Sequence, residues 1–369
     1  MIRFLGMKTA VVILNWNGKD FLEKFLPGLI LSASGTDREG ETEVIVADNA
    51  STDGSMEMME SRFPGIKTIR FDRNYGFTGG YNRALFQIDA EYFVLINSDI
   101  DVPADWLEPL VEWMDAHPEC GICSPKLHAY DRRDMFEYAG AAGGYIDKFG
   151  YPFCRGRILK SVEKDTGQYD EPADVFWTTG ACLMIRASLY RKLGGLDERF
   201  FAHMEEIDLC WRAQLEGYKV TVIPYSTVYH IGGGTLPNNS PWKLYLNYRN
   251  NLLMLSNNLA YTYALERIKK TGVTPESAVL YGIRKTGRTI FARMLLDGCS
   301  AAVYLATFRF KYFMAVVKAH RDFRKLKRSP EQERIAGFVS GNAGLPEIKG
   351  IYDGWMIPRA LLKRKIKVK

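Results

Sequence analysis

The chain has 369 residues, 47% of them apolar and 25% charged, with a formal net charge of +6. That balance suits a globular protein with a large core and excludes a disordered chain, while six cysteines in this length exclude a disulfide scaffold. The first residues, MIRFLGMKTAVVILNWNG, offer no small-residue cleavage site, and no stretch holds the ~18–20 uninterrupted apolar residues of a spanning helix, so the sequence predicts a cytoplasmic protein.

TAVVILNWNG is an apolar, β-branched run stopped by Asn and Gly, which predicts a buried strand entering a loop. Residues 20–31 then read as a helix. EVIVADNASTDGS repeats the pattern, with a strand over 44–47, a polar loop and a helix over 56–62. KTIRF is a third strand, RNYGFTGGYN a glycine-rich loop, and 82–88 a third helix. YFVLINSDIDV is a fourth strand ending in acids, followed by a helix over 106–116. Strands alternating with helices predict a doubly wound, mostly parallel α/β sheet. After about Pro125 the chain becomes irregular and rich in Gly and aromatics. A strand over 182–185, a helix within FFAHMEEIDLCWRAQLEG and a strand ending at His230 follow. From Leu244 onward most of the sequence reads as helix.

In doubly wound sheets ligands bind outside the carboxyl ends of the strands. There this chain puts Asn15, Asp48, Arg73–Asn74 and Asn97–Ser98–Asp99. Asp99 and Asp101 form a D-x-D, and carboxylates of this kind hold Mg²⁺ or Mn²⁺ while leaving positions for phosphate oxygens. His230 is a further candidate ligand, and Gly232, Gly233 and Gly234 after it would let backbone approach a diphosphate. Cys120 and Cys123 form a CxxC without a second pair, which reads as free thiols in a reducing compartment rather than zinc. FFAHMEEIDLCWR packs Glu205, Glu206 and Asp208 into the start of an amphipathic helix. Acids there suit the helix dipole, and Asp208 and Arg212 stand at i and i+4; a base in an active site is the competing reading.

Taken in order, VVILNWNG, VIVADNASTDGS, RNYGFTGGYN, INSDIDV, TTGACLMIR, GGLDERFFAHMEEIDLCWR and VYHIGGGT resemble a family 2 glycosyltransferase of the GT-A fold, of the bacterial rhamnosyltransferase-like branch. The resemblance runs from about Lys8 to Leu255. It implies that a sugar moves with inversion from a nucleotide-diphosphate sugar to a hydroxyl of a saccharide or lipid-linked acceptor. It places Asn15 and Asp48 at the nucleotide, Arg73 and Asn74 along the donor, and Asp99 and His230 on Mn²⁺ or Mg²⁺. Asn97 stands where the family often has an acid, which makes it a ribose or phosphate contact, with Asp101 flanking. The family's Glu-Asp pair is here Glu205–Glu206, with Glu206 the expected base and Glu205 the second choice. TTGACL, through Gly180, would line the cleft on the acceptor side with Asp208, where Trp177 is either a sugar-stacking platform or a core residue.

Residues 256–369 hold 23 Lys and Arg against 8 Asp and Glu, leaving 26 against 35 in residues 1–255. The split predicts a catalytic domain over 1–255, with a donor part to about 125 and an acceptor part beyond it, followed by a basic helical region over 256–369. That region is expected either to lie on the anionic inner face of the cytoplasmic membrane or to pack as a cap; no module for nucleic acid accompanies the charge. A nucleotidyltransferase of similar fold and a non-catalytic carbohydrate-binding protein are the alternatives. The first lacks its basic, glycine-rich fingerprint in ILNWNGKDF, and the second sits poorly with Asp99, Glu206 and His230 all in place.

Overall fold

A computed structural model describes residues 4–34, 41–159, 161–232, 240–342, 344 and 347–362. Gly233 and Gly234, expected to cradle a diphosphate, lie outside the described residues. In chain order the first half runs β1 (Phe4–Asn15), α1 (Lys19–Ser34), β2 (Thr42–Asp48), α2 (Ser55–Arg62), β3 (Lys67–Arg70), α3 (Gly76–Leu85), β4 (Ile88–Ile96), β5 (Ile100–Asp101), α4 (Glu108–Ala116), β6 (Cys120–Ala129) and β7 (Arg132–Phe136). Next come β8 (Gly144–Asp147), β9 (Pro152–Cys154), β10 (Arg157–Ile158), β11 (Ser161–Val162), β12 (Ala173–Asp174), β13 (Cys182–Arg186), α5 (Ala187–Lys192), α6 (Glu205–Leu215) and β14 (Lys219–His230). The chain ends in α7 (Pro241–Thr271), α8 (Pro275–Ala306), α9 (Phe310–Leu326), α10 (Gln332–Gly341), β15 (Ile351–Tyr352) and α11 (Met356–Leu361).

The main sheet has the order β12-β14-β6-β13-β4-β1-β2-β3. β1 pairs in parallel with both β2 and β4, and β13 runs antiparallel between β4 and β6. β1 is apolar at successive positions because both of its faces are covered. Val11 and Ile13 face a cluster with Leu22, Leu26 and Trp106, while Ala10 and Val12 face a second with Tyr81, Phe93 and Trp211. The expected doubly wound, mostly parallel sheet is therefore present.

Three local expectations are corrected. α3 begins at Gly76, inside the glycine-rich loop, rather than at 82. Gly76 has φ +72°, and a Cβ there would lie within 2.7 Å of the Phe201 ring, so glycine lets the helix start against that residue. β6 is a ten-residue strand that runs to Ala129, past Pro125 where the irregular stretch was expected to begin; β13 and β14 flank it. The boundary expected at 255 falls inside α7, and β15 pairs with β8 from the preceding part. α7 also carries Leu252–Leu255 and Leu259 into the core, so the C-terminal helices pack on the catalytic domain.

α8 corrects the composition argument as well. It has no long uninterrupted apolar run, yet one 18-residue window with at most two charged residues is long and apolar enough to cross a membrane, and only 17% of it is buried. Arg293 and Asp297 lie within α8, buried against the rest of the protein. Arg293 Nε donates to Asp297 Oδ1 at 2.8 Å, and Arg293 also bonds the Asn251 side chain and the Gly150 carbonyl.

Candidate active site

The parallel register sets Asn15 beside Asp48 at adjacent strand ends. Asn15 Nδ2 donates to Asp48 Oδ1 (3.1 Å) and to Ser51 Oγ (3.0 Å), and Asp48 Oδ2 accepts from the Ser51 amide (3.0 Å). Both side chains are buried, and Asn15 Oδ1 has no hydrogen-bond partner. Gly18 is needed here, since a Cβ would stand 2.6 Å from that oxygen. Asn74 Oδ1 accepts from Asn49 Nδ2 (3.0 Å) and the Gly76 amide (2.7 Å), while Arg73 is exposed and stacks over Tyr75. Asn49 thus laces the second and third strand-end loops together, also donating to the Gly76 carbonyl.

One short pairing assembles the second corner. β5 pairs antiparallel with the end of β14, matching His230 to Ile100, and this brings Asp99 to His230. His230 Nε2 lies 3.2 Å from Asp99 Oδ1, and all but a few per cent of both residues is buried. On the other side of the ring, Nδ1 faces Glu137 Oε1 at 3.4 Å without a well-aligned hydrogen bond. Burial opposes charge on His230, but the Asp99 and Glu137 carboxylates outweigh it and push its pKa up to about 10. Asp101 turns outward to pair with Arg133. Sequence reading missed Glu137: it lies in a Gly- and aromatic-rich stretch with no spacing signal, and only the return of the chain beside β6 brings it to His230.

The segment 178–181 joins the corners. Ala181 O accepts from the Asn97 amide at 2.9 Å, tying it to the loop that carries Asp99. Thr179 packs against Gly140, on the loop after Glu137, so closely that a Cβ at Gly140 would lie 2.8 Å away. Gly180 lies beside Glu206 and Phe77, at 3.5 and 3.4 Å from where its own Cβ would be. Asn97, the loop after Glu137 and Glu206 therefore all border one four-residue stretch. Burial lifts the Glu206 carboxyl to about 7, with backbone amides of residues 204, 206 and 207 restraining the rise. Glu205 is pushed well above the ordinary range by burial, then by Glu206 and Asp208. One oxygen of each glutamate, Oε2, is buried without a partner.

Of the acceptor-side candidates, Trp177 takes its core alternative and Asp208 is corrected. Trp177 is a core residue: its Nε1 donates to the Tyr145 carbonyl (3.0 Å) and its ring lies flat against Gly144, leaving no face for a sugar. Asp208 is fully buried and points at α7, accepting from Arg212 Nε (2.7 Å), Asn257 (3.0 Å) and Asn258 (2.8 Å). The i,i+4 pair with Arg212 is as expected, but it orders the helix rather than the cleft. All six cysteines are unpaired thiols, and burial pushes Cys120 up to about 11.

A doubly wound sheet with polar strand ends thus carries an Asp99–His230 pair and, beside the 178–181 segment, Glu206. The sequence model of glycosyl transferase family 2 matches residues 10–194, and the chain belongs to that family. It is a glycosyltransferase of the GT-A fold. It is 26% identical over 237 residues to the N-acetylglucosaminyl-diphospho-decaprenol L-rhamnosyltransferase of Mycobacterium tuberculosis, covering 60% of this chain and 75% of that one. The rhamnosyltransferase WbbL of Escherichia coli K12 is 22% identical over 229 residues, covering 60% and 82%. Among solved structures, GalNAc-T7 with UDP, GalNAc and Mn²⁺ superposes with a TM-score of 0.53 at 17% identity, over 72% of this chain and 51% of that one.

Proposed function

We propose that this glycosyltransferase transfers a hexosyl group, rhamnose or a similar sugar, from a nucleotide-diphosphate sugar to a hydroxyl of a saccharide or lipid-linked acceptor, with inversion, in bacterial surface polysaccharide synthesis. The observation that carries the reading is the shared floor at 178–181, bordered by the Asp99 loop, the Glu137 loop and Glu206. The names of the mycobacterial and enterobacterial relatives support the sugar and the lipid-linked acceptor.

Asp99 and His230 suit a divalent cation. One carboxylate and one imidazole make a donor set for Mn²⁺ or Mg²⁺, and Glu137 Oε1 lies 3.4 Å from the ring's far nitrogen. Among the described residues no group of three or more such side chains forms a complete cage; a two-residue site leaves room for diphosphate oxygens and water. Bound there, the cation would offset charge growing on the departing diphosphate. Asn15, Asp48, Arg73, Asn74 and Asn97 are the proposed donor contacts. Of these, Asn15 and Asp48 act as the floor of the nucleotide pocket. Glu206, with Glu205 as its alternate, takes the proton from the acceptor hydroxyl as it attacks the anomeric carbon.

The C-terminal helices are proposed to lie on an anionic membrane surface without crossing it. Phe291, Leu295, Val303, Phe308, Phe310 and Met314 form an exposed apolar strip along α8 and the start of α9, with Phe308 80% exposed. Arg284, Arg288, Arg309, Lys311 and Lys318 accompany them in sequence. A spanning α8 would have to pull the buried Arg293–Asp297 pair from its partners.

A screen of nucleotide sugars for Mn²⁺-dependent turnover tests the reading. Asp99→Ala should abolish turnover with the fold kept by circular dichroism, at a lowered melting temperature because buried His230 loses its partner, and full activity in excess chelator would overturn the metal assignment.

A further inference from the structure

Residues 199–204 lead into Glu205 and Glu206 in an unusual backbone state. Phe201, His203 and Met204 have φ of 65°, 70° and 73°, a left-handed region that costs each of these residues free energy. A run of three within four residues needs outside support. α7 supplies it. Asn250, fully buried, places its Nδ2 at 2.9 Å from the Phe200 carbonyl, 2.7 Å from Ala202 and 2.8 Å from His203, so its two N–H groups are shared among three acceptors. Arg249 Nη2 donates to the Arg199 (3.1 Å) and Phe200 (2.7 Å) carbonyls. Arg249 Nε donates to Asn250 Oδ1 (2.8 Å), fixing which way that amide faces. Tyr245, one turn earlier, accepts from Arg249 Nη1 (3.2 Å).

The clamped segment reaches the site on both sides. Its Phe201 carbonyl accepts from the Phe77 (2.7 Å) and Thr78 (3.2 Å) amides at the start of α3. Phe77 in turn shares Gly180 with Glu206. Two side chains on a helix outside the family match at 10–194 thus fix the backbone that presents the acids.

We propose that Arg249 and Asn250 are positioning residues for transfer, holding 199–204 in the strained form that aims Glu206 across the cleft. The inference rests on the assignment of Glu206 as base. Asn250→Ala removes the donors to three carbonyls. Turnover of the nucleotide sugar found by the screen should fall by about 10- to 100-fold, the scale expected when a reacting group is misplaced by about an ångström. The donor Michaelis constant should stay within about threefold. In a Glu206→Gln background the same substitution should cost less than about threefold, because a base already lost cannot be misaligned again. An equal loss in both backgrounds, or an unchanged turnover in Asn250→Ala, would overturn the proposal. If Asn250→Ala does not fold, Arg249→Lys, which keeps the charge and loses the fork, must show the same non-additivity, and its failure to do so also overturns it. Should Glu206→Gln alone keep full turnover, the base assignment is what has failed. The clamp is then judged by the same comparison in Glu205→Gln.

Discussion

The two adjacent glutamates differ in what surrounds them, and that separates their roles. Glu206 is half-buried beside Gly180 with its carboxyl raised to about 7, so it is a usable proton acceptor near neutral pH. Turnover should climb with pH through about 7 and level off above it, because the base must be ionised. Glu206→Gln keeps the shape and should cut turnover by roughly 10² to 10⁴ while donor binding survives. A drop of less than about fivefold would move the role to Glu205. Glu205 is buried more deeply, and burial, then Glu206, raises its carboxyl well above the ordinary range in the folded chain. In the unfolded chain it ionises near its ordinary value. Above that value the unfolded state binds fewer protons than the folded one, so this residue's contribution to stability falls as pH rises towards the raised folded pKa. Glu205→Gln should therefore raise the melting temperature more at pH 8 than at pH 5, and melting curves at the two values read this directly.

At the scale of elements, buried polar pairs join the C-terminal helices to the preceding part, beside the apolar packing of α7. Arg293 and Asp297 on α8 meet Gly150 and Asn251, and His320 of α9 places Nε2 3.3 Å from Asp297 Oδ2. Removing one partner leaves an uncompensated charge in the interior, a loss of about 3–5 kcal/mol. Asp297→Ala should show that loss in urea denaturation, whereas Phe308→Ser, at an exposed tip, should leave stability within about 0.5 kcal/mol. The contrast tests whether α8 is fastened by its polar face and presents its apolar face outward.

For the whole molecule, α7 makes the appended helices part of the enzyme. A chain cut at 255 loses half of α7, the α8 pair and β15, and should be insoluble or unfolded by circular dichroism. The full chain should float with vesicles containing anionic lipid at low salt, less so at high salt, and Phe308→Ser with Phe310→Ser should weaken flotation with turnover of soluble donor unchanged. Failure of the full chain to float at low salt would remove the membrane reading.

Legible in the sequence alone were the alternating elements of residues 8–116, the strand-end polar loops and the acidic start of the helix at Glu205–Glu206, whereas Asp99 and His230 meet only through the β5–β14 pairing. Each of the legible features is local: an apolar run, a turn signal or a motif whose residues are close along the chain. Periodicity also gives α6 an apolar stripe of Ile207, Cys210 or Trp211, and Leu215, and all four are buried. β6 was illegible because Gly121, Pro125 and Lys126 are poor strand residues in isolation; pairing on both sides, and the Lys126 ion pairs with Asp165 and Asp170, override that preference. Trp177 could be read either way from composition, and only its packing on Gly144 decided for the core. Glu137 and the Arg249–Asn250 clamp needed tertiary structure for the same reason. Their partners are backbone carbonyls or a histidine far along the chain, and a hydrogen bond to a distant carbonyl leaves no pattern in the sequence that supplies it.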